Sequence, residues 1–278
     1  PRLNGHGADS MGVALAGRPS RLDVEEFVYR LGAGEARGRG AFDRIEHPWP
    51  DSLTGTAVFR WLSGARAWDG TLEARSLPVD RLTRVSPQAD GWSGSLGGRV
   101  TLSGSPHDPR FELAAAISAL AWRDYRSERF AVRARYADSL LEVPDASLVM
   151  RGVESTASGK LPLGLAMDAP PALPERPMSW TFRVPTGDLQ LLPLLVPQIQ
   201  SAHGQFDVEG RMEGTVRHPR LSGTGRVREG VVRPAGRQEV LEGLTADFRF
   251  SVARVVLDSL SARQGKDGRI RSKGVVNL

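Results

Sequence analysis

Apolar and polar residues alternate with a period of two along most of this chain. In residues 130–136, Phe130, Val132, Ala134 and Tyr136 share one side, while Arg133 and Arg135 take the other. The same phasing sets Ala246, Phe248, Phe250 and Val252 against Asp247, Arg249 and Ser251. It also sets Phe206, Val208 and Met212 against Asp207, Glu209 and Arg211. Residues 268–274 place Arg269, Arg271 and Lys273 together on one side. Successive side chains of a strand point to opposite faces, so this pattern predicts strands with one greasy and one ionic face. Turn signals (Gly, Asp-Pro, His-Pro, Ser-Gly) recur about every eight to twelve residues, the spacing of an antiparallel meander. Glycine-rich runs such as 94–104 predict strands that bend easily.

Two segments interrupt the alternation. Residues 78–85 and 188–199 have short helix-like patterns and sit at matching places in an internal repeat. That repeat aligns residues 71–117 with 181–227, without gaps, at an offset of 110. Thr71 pairs with Thr181, Leu82 with Leu192, Gly94 with Gly204, Gly104 with Gly214, and Pro109-Arg110 with Pro219-Arg220. Apolar positions and Gly/Pro punctuation are kept, while His107 faces Arg217 and Glu73 faces Arg183. Repetition of scaffold without repetition of reactive groups points to a stacked, extended architecture. The expected organisation is a partial β-repeat over 1–70, a first β-groove repeat over 71–180 with a proline-rich excursion at 169–177, and a second over 181–278. Residues 56–61 resemble 245–250, which makes the first segment the latter part of an earlier unit. The chain starts without Met and ends in an alternating pattern, so it is expected to be an internal fragment.

Composition narrows the possibilities. The 278 residues include no cysteine, which excludes disulfides and thiolate metal sites. Aromatics make up only 6% of the chain, little with which to fill a compact core. The net charge of +5 comes from scattered, mainly arginine residues rather than a basic tract with interleaved aromatics, so nucleic acid is not an expected partner. No apolar run is long enough for a membrane-spanning helix.

Catalytic constellations are missing. The histidines His6, His47, His107, His203 and His218 have no ligand spacing. There is no Gly-x-Ser-x-Gly elbow, and Gly159-Lys160 lacks the rest of a phosphate loop. Gly32-Ala-Gly34 is followed by Arg37, where a dinucleotide fingerprint requires a small residue. Trp49, Trp61, Trp68, Trp92, Trp122 and Trp180 are dispersed and read as core or rim packing. The expectation is therefore a non-enzyme with no cofactor and no metal.

Residues 204–214 (GQFDVEGRMEG), then 218–223 (HPRLSG) and 230–234 (GVVRP), resemble the TamB family of the AsmA-like superfamily. Residues 189–197 before them and 257–269 after them extend the resemblance, and 94–110 repeats it more weakly. It covers roughly residues 55–278. The resemblance implies a periplasmic, all-β antiparallel sheet curled lengthwise into a taco-like groove, in a full-length protein anchored to the inner membrane. It implies phospholipid acyl chains as cargo and a BamA-family outer-membrane barrel as partner, through a C-terminal part not identified in this chain. Joined to the alternation, it assigns groove lining to Leu96, Val100, Leu102, Phe111, Leu113, Phe130, Val132, Tyr136, Phe182, Phe206, Val208, Met212, Val227, Phe248, Phe250, Ile270 and Val276. Exposing two acyl chains of about sixteen carbons to water costs roughly 25 kcal/mol at about 0.8 kcal/mol per methylene. A continuous greasy groove removes most of that barrier without catalytic residues. Two other readings are an assembly factor for outer-membrane proteins, acting through sheet edges with a BamA-like barrel, and a structural β-repeat with a closed core.

Overall fold

A computed structural model describes residues 2–3, 6–7, 9–18, 21–43, 64–82, 91–122, 125–166, 169–191, 198–236, 239–265 and 268–277. The fold is all-β and antiparallel. The first strands are β1 (Arg2–Leu3), β2 (His6–Gly7), β3 (Ser10–Arg18), β4 (Arg21–Leu31), β5 (Gly34–Asp43) and β6 (Ala67–Pro78), followed by helix α1 (Val79–Leu82). Next come β7 (Trp92–Gly104), β8 (Pro109–Trp122), β9 (Tyr125–Ala137), β10 (Leu140–Met150), β11 (Val153–Pro162), β12 (Gly164–Ala166) and β13 (Ala169–Ala172). After β14 (Met178–Asp188), a 3₁₀ turn at Leu189–Leu191 leads to β15 (Ile199–Gly214), β16 (Pro219–Pro234), β17 (Leu241–Ser251), β18 (Arg254–Gln264) and β19 (Gly268–Asn277). Both helical interruptions thus fall in the expected segments; residues 83–90 and 192–197 lie outside the described residues, as do His47, Trp49 and the 56–61 motif.

The chain divides into two compact units, Pro1–Gly152 with Lys160–Pro174, and Val153–Gly159 with Glu175–Leu278. In the first, β3 to β10 are hydrogen-bonded in chain order and β3 is an edge. In the second, β14 lies beside β11, β14 to β19 follow in chain order, and β19 is an edge. The proline-rich segment forms β13, which pairs only with β12 in a small hairpin outside these runs.

Strand registers match apolar to apolar. Leu72 faces Val100, which faces Leu113; Val184 faces Val208, which faces Gly225, and Phe248 follows. The 110-residue repeat extends to backbone irregularities. The β6–β7 register shifts between Ala74 and Leu77, and the β14–β15 register between Val184 and Gly187. One strand further, the shifts bracket Gly94 and Gly204, whose φ angles are 146° and 121°. Such angles favour glycine, and at Gly204 the Gly230 backbone is so close that an added Cβ would meet its Cα at 2.8 Å. Ala119 and Glu229, also 110 apart, both hold φ at 50°.

These bulges re-aim the strand ends toward a plug. Val79, the first residue of α1, and its repeat equivalent Leu189 are both buried. In the second unit Leu189 packs on Ala202, Val227, Val232 and Ala246, with Phe206, Leu244, Phe248 and Leu257 around them. In the first, Leu31, Ala36 and Leu77 form the corresponding cluster with Leu72, Leu82 and Leu96. In the second unit this cluster reaches the middle of the sheet, because Val227 and Ala246 lie at the midpoints of β16 and β17.

Candidate functional site

The registers place every expected groove residue on the apolar face of its own unit. In the first unit Leu96 and Phe130 both pair with Ile117, Val100 pairs with Leu113, Val132 with Ala115, and Phe111 lies between Leu102 and Tyr136. In the second, one row runs Phe182, Gly210, Gly223, Phe250, Val255, Val276. Parallel to it run Val208 with Phe248 through Gly225, Phe206 with Val227, Met212 with Trp180, and Ile270 with Ala262. The same face carries Trp180, Val184, Leu221, Leu257 and Leu260, which the sequence list omitted. The alternation Met178, Trp180, Phe182, Val184 would have found the first two.

Accessibility separates these residues. Tyr136 is 2% exposed and Val227 8%, whereas Leu102 is 40% and Val276 58% exposed. The other expected lining residues are half-buried. Val227 lies in the Leu189 plug. Tyr136 stacks on Phe111 with ring centroids 5.2 Å apart, and its hydroxyl accepts a 2.8 Å hydrogen bond from the Leu165 N–H on β12. These two residues are therefore packed rather than on the open part of the face.

In the second unit the aromatic rings occupy the space above glycines on neighbouring strands. A Cβ built on Gly187 would lie 2.1 Å from Phe206 Cζ, one on Gly225 2.2 Å from Phe248 Cζ, and one on Gly223 2.4 Å from Phe250 Cζ. Gly210 stands in the same relation to Phe182, and Gly159 to Trp180. These glycines make room for rings, whereas within the glycine-rich run 94–104 Gly94 and Gly104 hold φ angles of 146° and 94°. With each ring tucked over a backbone, the face presents a low apolar surface instead of a row of protruding side chains.

The opposite face is ionic and mutually neutralised. From β4 to β10, and again from β14 to β18, every directly opposed pair of charged residues has opposite signs. Examples are Arg37 with Glu73, Glu73 with Arg99, Glu112 with Arg135, Asp207 with Arg226, and Arg226 with Asp247. Arg226 Nε lies 2.5 Å from Asp247 Oδ1, and Lys160 Nζ 2.7 Å from Glu142 Oε1. Hydrogen bonds from Lys160 and then Arg135 hold the Glu142 carboxyl below the ordinary glutamate range. Arg226 and then Ser259 do the same for Asp247, as Arg249 does for Asp258. A depression of ≈ 470 Å³ is lined by Arg183, Asp207, Glu209, Arg226, Asp247, Arg249 and Asp258, together with Val184, Val208, Gly225 and Phe248 of the row described above. Among its carboxylates, Asp247 and Asp258 are engaged with arginines, and an anion so stabilised is a poor proton acceptor.

No group of His, Asp and Glu among the described residues is arranged to hold a metal ion. His218 closes a turn in which its N–H bonds Thr215 Oγ1 at 3.2 Å, and Asp108 closes the equivalent turn on Ser105 Oγ at 3.1 Å. No helix among the described residues is long and apolar enough to cross a membrane. Comparisons of the chain with protein-family models, curated proteins and solved structures find no match.

Proposed function

We propose that this chain is a segment of a TamB-like periplasmic protein whose apolar sheet face shields phospholipid acyl chains between two membranes. The observation that carries this reading is the state of the apolar face. Most of its side chains remain half-buried or exposed, although in the second unit the 3₁₀ turn packs Leu189 on Val227 and Ala246, with Phe206 and Phe248 beside them. A sheet with one apolar face needs that face covered. Acyl chains suit a low, ring-paved floor because they are apolar, flexible and without hydrogen-bonding needs of their own. Reactive groups have no place in such a role, in keeping with ionic rows that neutralise one another on the reverse face. A closed structural repeat would bury the same side chains within the chain, which fits their accessibility less well.

The test is the lipid itself. Phospholipid should be recovered by mass spectrometry of organic extracts of the purified protein, and the protein should speed transfer of labelled phospholipid between vesicles. Val208→Glu and Phe248→Glu should each abolish both while leaving the far-ultraviolet strand signal unchanged. Absence of bound lipid, or transfer indifferent to both substitutions, overturns the proposal.

A further inference from the structure

One apolar row of the first unit is open at its start and closed further on. It runs Leu102, Phe111, Tyr136, Leu141 across β7 to β10. Leu102 is 40% exposed and Tyr136 2%. The second unit has no such step. There Leu221 is the repeat equivalent of Phe111, and the place of Tyr136 falls to Val252, one position past the ladder pair Ser222–Ser251 and 52% exposed. The first unit differs in having the β12–β13 hairpin, whose Leu165 N–H reaches the Tyr136 hydroxyl. β11 and β14 are hydrogen-bonded neighbours, so a tight turn like the one between β9 and β10 would join them, and the hairpin is an insertion the sheet does not need. Its hold is slight. Its ladder pairs Gly164 with Ala172 and Ala166 with Ala169, with a register shift between. Pro170 and Pro171 have no N–H to add to it, and both are exposed, as is Ala172. Leu165 N–H to Tyr136 at 2.8 Å and Leu163 N–H to the Ser139 carbonyl at 3.0 Å fasten it to the unit. The plug of the second unit is built otherwise, with Leu189 buried in a cluster of apolar side chains.

We propose that the β12–β13 hairpin is a strap that lifts from the first unit to let a phospholipid acyl chain continue along the row from Leu102 past Phe111 onto Tyr136. This inference rests on the lipid reading. With the strap down, β12 supplies the cover that an acyl chain supplies with the strap up, so the Phe111–Tyr136 stack stays out of water in both states. The N–H groups released from Leu163 and Leu165 pass to water, which replaces most of what their hydrogen bonds contributed. A tyrosine at this position makes the closure one bond that can break and re-form, where a seam of packed aliphatic side chains would have to be prised apart. A two-stranded hairpin is marginal by itself, so the strap costs little to displace and returns when the row empties.

The experiment is amide hydrogen exchange on the full 278-residue protein, delipidated and then loaded from vesicles of phosphatidylethanolamine and phosphatidylglycerol, with bound lipid counted by mass spectrometry. Loading should speed exchange at Leu163 and Leu165 by about tenfold or more while β8 and β9 stay protected. Lipid bound with Leu165 exchange unchanged or slowed overturns the strap and leaves the lipid reading standing. No lipid bound overturns both. Tyr136→Phe supplies a second measurement, because it keeps the ring and removes the bond that holds the strap down. It should raise the rate of labelled phospholipid transfer between vesicles about fivefold. Transfer at an unaltered or lower rate in a folded Tyr136→Phe protein overturns the strap, since the hydroxyl then does not restrain passage. The exchange comparison is made on the unaltered protein, so it stands even if the substituted one folds poorly.

Discussion

The far edge of the Phe248 ring fills the space where a side chain at residue 225 would stand, with Cζ 2.2 Å from the position of a Gly225 Cβ. The two residues are directly opposed on β16 and β17. Residue 225 is thereby tied to glycine for a reason of packing rather than backbone angle, since its φ is not in the left-handed region. Gly225→Ala should displace the ring and destabilise the protein by about 1–3 kcal/mol. Phe248→Ala should remove the conflict, so that Gly225→Ala costs little in that background. A double-mutant cycle by denaturant unfolding measures the coupling, and strictly additive costs would contradict the ring-over-glycine account.

Much of this arrangement is legible in the sequence. Period-two alternation is a local signal, and it places Phe206, Val208 and Met212 on a common face because nothing in β15 between them shifts the phase. The repeat locates both helical interruptions for a similar reason, since Gly94/Gly204 and Val79/Leu189 are matched in number. Less legible are features that depend on a neighbouring strand. Which glycine receives a ring follows from register, and Phe182 and Gly210 are 28 residues apart in sequence yet directly opposed. The packing of Tyr136 involves β12, a three-residue strand too short to show an alternation of its own, whose Leu165 N–H reaches the Tyr136 hydroxyl. The bulges at Ala119 and Glu229 carry no residue signal, because neither residue type favours the left-handed region.

That last point is itself testable. Holding alanine or glutamate at φ 50° costs free energy that glycine does not incur. Against this, glycine loses more conformational entropy on folding. Glu229→Gly should stabilise the protein by about 0.5–1 kcal/mol, and Ala119→Gly by a similar amount. Chemical denaturation reads both, and a loss of more than about 1 kcal/mol at either site would show that the bulge is not strained.

Leu189 holds the plug of the second unit, 4% exposed against Ala202, Val227, Val232 and Ala246. Leu189→Ala should cost about 2–5 kcal/mol, the range for a leucine truncated in a packed site. The loss should appear as faster hydrogen exchange in β15, β16 and β17, whose side chains surround it. Exchange that rises equally along β4 and β5 would mean that the plug is not local to its unit.

The Tyr136 hydroxyl is the acceptor for Leu165 N–H at 2.8 Å. Two-stranded hairpins are marginal in water, so β12–β13 depends on attachments such as this and the 3.0 Å bond from Leu163 N–H to the Ser139 carbonyl. Tyr136→Phe keeps the ring stack with Phe111 but leaves the Leu165 N–H without its acceptor, at about 1–3 kcal/mol. Hydrogen exchange should accelerate at Leu165 and across β12–β13 while β8 and β9 stay protected. Unchanged protection at Leu165 would argue that the hairpin is fixed by other contacts.

The ionic face sets the response to acid. Glu142 and Glu35 titrate below the ordinary glutamate value of 4.5, Glu142 through Lys160 and Arg135 and Glu35 through Arg37 and Arg30. Asp247 and Asp258 titrate below 3.8, through Arg226 with Ser259 and through Arg249 respectively. A carboxyl whose folded value is lowered binds its proton more readily in the unfolded chain. Its stabilisation is therefore complete above the unfolded value and lost as pH falls through the folded one. Thermal stability should accordingly be flat down to about pH 5 and decline below about pH 4.5, with the decline shallow because these groups lie at the surface, in reach of water and screened by salt. Glu142→Gln should lower stability at pH 7 and flatten the acid limb, since it removes one of the groups that titrates there. Raising the salt concentration should reduce the difference between Glu142→Gln and the unaltered protein at pH 7. A gap that salt leaves untouched would place the role of Glu142 in packing rather than in its charge.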